Sequence, residues 1–244
     1  MKVCSVSYLN SIPFVYGLEN SPLNIELSTA IPSLCAKKLI EGSVDLALVP
    51  VAIIPELTYS KIISPFCISA TGVVETVCLF SQCPINEIDT ILLDYHSRTS
   101  NQLIQLLSKK YWNISPKFIQ PDTEFIHQIK DHTAGLIIGD RAYQYRSDFP
   151  YTYDLSQEWQ KYTGLPFVFA CWVANSPIDM YFEQQFTEAL QFGISNLNQA
   201  IKEKEHQFIT SIDKRRYLTE VIDYHFDREK KQSLDLFLKE IQKA

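Results

Sequence analysis

The chain has 244 residues, of which 46% are hydrophobic, and a formal net charge of −6. That much apolar material supports one large core or two small ones. The acidic balance and the lack of any Lys/Arg run argue against a nucleic-acid partner. No stretch reaches the roughly 18–20 apolar residues that span a bilayer, so no membrane association is expected.

Met1-Lys2 leads at once into the short run VCSVSYL, with no small-residue cleavage site after it. A cytoplasmic location is therefore expected. Strands are expected at Lys2–Ser7 and Asn24–Thr29. A helix follows over Pro32–Ile40, with Pro in its first turn and Gly42 just past its end. DLALV, residues 45–49, reads as a buried strand. This βαβ rhythm predicts a mostly parallel sheet covered by helices.

Residues 61–81 change the rhythm. Two apolar runs, KIISPFCISA and VVETVCLFS, are split at Thr71-Gly72. A second βαβ series follows, with strands at Thr90–Leu93, Lys117–Ile119 and Ala134–Ile138. Its helices are expected after Ser97 and over Glu124–Lys130. Another long run, LPFVFACWVA, covers 165–174. The remainder reads as helix, one starting at Ser176-Pro177-Ile178-Asp179 and one over Arg228–Lys243. The long runs bracket the middle of the chain, which suggests an inserted lobe with crossings near 72–78 and 167–174. Residues 1–74 and 172–244 would form one lobe and 75–171 the other. That is the plan of two-lobed periplasmic-binding-protein-like α/β folds.

Six cysteines (Cys4, Cys35, Cys67, Cys78, Cys83 and Cys171) form no CxxC pair and do not group with the histidines. They read as reduced, buried small hydrophobes, and no metal or cofactor is expected. GxSxG, HExxH, P-loop and GxGxxG patterns are missing.

Three segments are placed to meet a ligand, because open α/β sheets bind beyond the carboxyl ends of their strands. SYLNSIP, residues 7–13, ends the first strand and offers Ser7, Tyr8 and Asn10. An ordinary turn, with Asn and Ser bonding their own backbone, explains it equally well. DYHSRTS, residues 94–100, precedes a helix. Ser97 as its cap, Arg98, Thr99, Ser100 and the free helix N–H groups would suit a carboxylate or phosphate. A plain N-cap with Arg98 in solvent accounts for the same residues. In IIGDRAY, residues 137–143, a strand meets a turn at Gly139, and Asp140 can cap the next helix.

SYLNSIP, GSVDLALVPV, LDYHSRTS, IIGDRAY and YDLSQEWQKYTGLPFVFACWV stand in this order. Together they resemble the chorismate dehydratases of the futalosine route to menaquinone, from the first strand to about residue 175. The resemblance implies a type II periplasmic-binding-protein-like fold with two crossing strands. It also implies conversion of chorismate to 3-[(1-carboxyvinyl)oxy]benzoate and water, with no cofactor. The family's active-site Asn falls on Asn10, and its hydroxyl residue in the first crossing strand falls on Thr76, where many members carry Ser. Ser97, Thr99 and Ser100 are expected to hold one substrate carboxylate. One of chorismate's own carboxylates is the expected base, with Asp140 as the alternative. The rival readings are the 1,4-dihydroxy-6-naphthoate synthase of the same pathway, a non-catalytic solute-binding protein, and a ligand-sensing regulator.

Overall fold

A computed structural model describes residues 1–121, 124–208 and 210–243. The first part of the chain runs β1 (Lys2–Val6), α1 (Ile12–Glu19), β2 (Glu26–Ala30), α2 (Pro32–Ile40), β3 (Leu46–Pro50) and β4 (Lys61–Ala70). The middle runs β5 (Val77–Ser81), β6 (Thr90–Leu92), α3 (Thr99–Lys110), β7 (Lys117–Ile119), β8 (Thr133–Ile138), α4 (Asp140–Tyr143), β9 (Tyr151–Asp154) and α5 (Leu155–Thr163). The last part runs β10 (Phe167–Ala174), α6 (Met180–Ser195), α7 (Leu197–Lys204), α8 (Lys214–Arg216), β11 (Asp223–His225) and α9 (Arg228–Ile241).

The described strands form two sheets. One has six strands in the order β11-β4-β10-β3-β1-β2, and the other has five in the order β7-β6-β8-β5-β9. Only the βαβ parts are parallel: β2-β1-β3 in the first sheet and β7-β6-β8 in the second. The long runs pair antiparallel, β10 with β3 and β4. The reason is direction: β4 carries the chain toward the second sheet and β10 carries it away.

The chain passes between the sheets at 71–76 and returns at 164–166. β10 pairs along its length within the first sheet, so residues 167–171, expected in the second lobe, lie in the first. Asp154 ties the first passage to the start of α5. Its carboxylate caps α5 by accepting from Ser156 N and Gln157 N, and it also accepts from Val74 N at 3.0 Å and Glu75 N at 2.7 Å. The Thr163-Gly164-Leu165-Pro166 turn ends α5 with Gly164 at φ 76, a left-handed cap. Trp159 locks this return. Its ring is fully buried against Phe167 and Phe237, and its indole N–H donates to Ser233.

Two helix expectations are corrected. Residues 124–130 carry one 3-10 turn, Ile126–Gln128, rather than a helix. The helix expected from Ser176 starts at Met180, where Asp179 accepts from Tyr181 N and Phe182 N. A cap that satisfies two orphan N–H groups outweighs Pro in the first turn. All six cysteines are free and buried. Among the described residues no helix is long and apolar enough to cross a membrane.

Candidate functional site

A cavity lies where the strand ends of the two sheets face each other. From the first sheet it receives Val6 at the end of β1, Tyr8 and Asn10 just after it, Pro50 at the end of β3, and Phe169 and Ala170 of β10. From the second it receives Thr76 and Val77 at the start of β5, Ser97, Thr99 and Ser100 at the start of α3, and Gly139 after β8. Carboxyl ends of parallel strands converge here, where an α/β sheet exposes side chains and helix N-termini.

Seven of the ten sequence-predicted residues line this cavity: Tyr8, Asn10, Thr76, Ser97, Thr99, Ser100 and Gly139. The other three do not. Ser7 faces a separate pocket with Thr29 and Lys204. Arg98 turns outward, 3.6 Å from Glu56, with its side chain 47% exposed. Asp140 does not cap its own helix, whose cap position is Gly139. Its carboxylate instead reaches across to the first sheet and accepts from Leu9 N at 3.0 and 3.3 Å. Burial pushes this carboxyl up to about 6, and the Leu9 bond opposes the shift.

The cleft is closed by several contacts of this kind. The Tyr8 hydroxyl lies 2.6 Å from His96 Nδ1. Burial, and next the charge of Asp94, raises the Tyr8 phenol, while burial and then Arg141 lower His96. Both groups are therefore neutral, and one hydrogen bond joins them across the cleft, its direction set by the imidazole tautomer. Ser33 N donates to His96 O at 3.1 Å. The Thr99 hydroxyl accepts from Ala52 N and donates to Phe169 O, each at 3.2 Å.

The start of α3 brings the hydroxyl residues Ser97, Thr99 and Ser100 to the cavity. The residue just before α3 is Arg98, but Ser97 Oγ, one position earlier, accepts from Ser100 N in the first turn at 2.9 Å. The Ser100 hydroxyl faces the cavity without a partner among the described residues. Opposite it, Asn10 Oδ1 is buried with no hydrogen bond, while the Asn10 backbone carbonyl accepts from Tyr224 at 3.1 Å. An unpaired buried amide oxygen is costly unless a ligand satisfies it. The described lining residues include no Lys, Arg or His. The nearby Arg141 spends its charge elsewhere, with Nη2 2.6 Å from both oxygens of Asp94 and Nη1 3.0 Å from Glu124. The positive potential on this side of the cavity therefore comes from the helix N-terminus and neutral donors.

Two residues important to this geometry had no strong sequence signal. Asp94 is fully buried and holds Ile138 N, His96 N and Arg141 together. Tyr217 is buried behind the site, with its hydroxyl 2.7 Å from Thr76 Oγ1. The strand-end position of Asp94 was visible in the sequence, but its contacts were not. Tyr217 comes from the far end of the chain, and no local pattern links it to residue 76.

The fold is shared with proteins of low sequence identity. Protein AF1704 from Archaeoglobus fulgidus is similar with a TM-score of 0.77 and 15% identity, over 99% of this chain and 96% of that one. The Candida albicans CA3427 gene product, described as having the generic periplasmic binding protein fold, gives 0.72 and 11%, over 100% and 90%. The periplasmic aliphatic sulphonate binding protein SsuA from Escherichia coli gives 0.58 and 15%, over 98% and 91%. The architecture is thus the two-lobed periplasmic-binding-protein-like one. A family model described as menaquinone biosynthesis matches residues 1–243. The chain belongs to this menaquinone biosynthesis family.

Proposed function

We propose that the protein is a cytoplasmic chorismate dehydratase, converting chorismate to 3-[(1-carboxyvinyl)oxy]benzoate and water. The observation that carries this reading is the cavity itself. Asn10 and Thr76 line it together with the hydroxyl residues at the start of α3, and its described lining residues include no Lys, Arg or His. One chorismate carboxylate would sit at the α3 start, on Ser100 and the helix N–H groups. Asn10 and Thr76 would then flank the ring and its C4 hydroxyl.

The elimination breaks the C3–H and C4–O bonds and aromatises the ring. The C3 proton goes to the substrate's enolpyruvyl carboxylate, and the C–H electron pair becomes the new ring π bond. The C4 oxygen leaves with its electron pair and takes up the proton, giving water and restoring the carboxylate. Such a step asks the protein mainly for position and exclusion of water. A cleft without ammonium or guanidinium groups leaves the enolpyruvyl carboxylate unpaired and able to accept the proton. Asp140 remains the alternative base, but its carboxylate is bonded to Leu9 N and it is not among the residues that line the cavity. No cofactor enters the scheme.

A ligand-bound structure tests the placement. The benzoate product should lie between Asn10 and α3, with a carboxylate on Ser100. A product bound outside this cavity would overturn the reading.

A further inference from the structure

Thr76 stands on an unusual stretch of backbone. Glu75, just before it, has φ 70, a left-handed conformation that costs a non-glycine residue of order 1–3 kcal/mol. The stretch is held from both sides. Asp154 accepts from the Glu75 N–H, and Arg216 pairs with the Glu75 carboxylate. The neighbouring pair repeats the contact, since Tyr217 meets Thr76. Residues 216–217 thus grip residues 75–76, two against two. Tyr217 also opens a π-helical turn, Tyr217–Val221, a rare widening that is frequent at functional sites. The turn brings the Tyr217 hydroxyl to Thr76, with the Asn10 amide beside it.

Resting on the dehydratase reading, we infer that Tyr217 is a positioning residue that donates to Thr76 and thereby aims the Thr76 hydroxyl proton at the departing C4 hydroxyl of the substrate. The direction of the bond follows from acidity. A phenol is the better donor of the two, and an aliphatic hydroxyl the better acceptor. Burial and then the Asp140 charge hold the Tyr217 phenol above its ordinary value, so it keeps its proton. With its oxygen occupied by the phenol, Thr76 has one proton to direct. Its protein acceptor is Val74 O, at the long distance of 3.5 Å. The leaving oxygen offers a better partner, and a hydrogen bond there grows stronger as the C4–O bond breaks. Without the phenol, the Thr76 hydroxyl is free to rotate.

Chorismate turnover by the parent, Tyr217→Phe, Thr76→Val and the double variant tests this as a cycle. Tyr217→Phe should lower kcat by about tenfold to a hundredfold and leave KM within threefold. Thr76→Val should lower kcat at least as much. Tyr217→Phe should add less than threefold in the Thr76→Val background, because the phenol acts only through Thr76. p-Aminophenylalanine at position 217 keeps a donor in place and should stay within tenfold of the parent; this arm stands even if Tyr217→Phe fails to fold. A parent that turns over chorismate while Tyr217→Phe retains full kcat, while the two losses multiply, or while the p-aminophenylalanine protein is as slow as Thr76→Val, overturns this inference alone. A folded parent that leaves chorismate unchanged overturns the dehydratase reading, and this role with it.

Discussion

Tyr8 lies against the backbone of Gly139 across the cleft. A Cβ added at 139 would fall 2.7 Å from the tyrosine Cε1 and Cζ, inside any allowed contact. Gly139 also has φ 76, so two independent constraints select glycine there. One lobe can therefore close on the other only if residue 139 has no side chain.

Gly139→Ala should lower chorismate kcat/KM by tenfold or more and cost about 1–3 kcal/mol of stability. Gly164→Ala is the comparison variant, with the same φ of 76 but in the milder left-handed helical region, and with nothing within 4 Å of the added carbon. It should show the backbone cost in denaturant unfolding and keep its activity. Equal activity in the two variants would mean that Tyr8 and Gly139 do not meet in the working enzyme.

Asp140 gives a pH signature. Its folded-state pKa is raised to about 6 from 3.8, chiefly by burial. Between those values the folded chain binds more protons than the unfolded chain, so stability falls as pH rises through about 4 to 6. The full effect is on the order of 2–3 kcal/mol. Asp140→Asn keeps an acceptor for Leu9 N and removes the charge. Its advantage over the parent in urea unfolding should be largest near pH 7.5 and shrink toward pH 4. An advantage independent of pH would contradict the buried, uncompensated carboxylate.

Ser100→Ala isolates the anion site. The Ser100 hydroxyl makes no bond to the described protein, so its loss should leave the fold intact. KM for chorismate should rise about tenfold with kcat within threefold, the mark of a group that holds substrate and transition state alike. Thr99→Ala should also raise KM, but it removes the link from Ala52 N to Phe169 O as well and should lower stability. Unchanged KM in both variants would move the carboxylate elsewhere.

Much of this site was legible because it lies in segments continuous in the sequence. Strand, turn and helix start are local patterns, and each of SYLNSIP, DYHSRTS and IIGDRAY combines them. The misreadings were of direction. Ser7 and Arg98 are one residue from lining positions, and a single step reverses the face of a strand end or swings a residue off a helix start. Asp140 looked like a cap because capping is what an Asp after Gly usually does. Its partner, Leu9 N, lies 131 positions away and becomes visible only when the lobes close. Tyr217 is the extreme case, 141 positions from Thr76.

Asn10 carries the sharpest mechanistic contrast. Its Oδ1 is buried and makes no hydrogen bond. Asn10→Ala should lower turnover by roughly a hundredfold or more, since misplacement alone costs that much. Asn10→Asp should also be slow, because a new negative charge beside a dianion repels it. An Asn10→Asp protein as active as the parent would mean that residue 10 acts near the proton transfer, and the substrate carboxylate would lose its role as base.

The most direct measurement is incubation of the purified protein with chorismate and a chelator, followed by chromatography and mass spectrometry. The predicted result is loss of chorismate matched by 3-[(1-carboxyvinyl)oxy]benzoate, with Asn10→Ala at least a hundredfold slower. Chorismate recovered unchanged from a folded protein that binds it would contradict the account and leave a binding protein in its place.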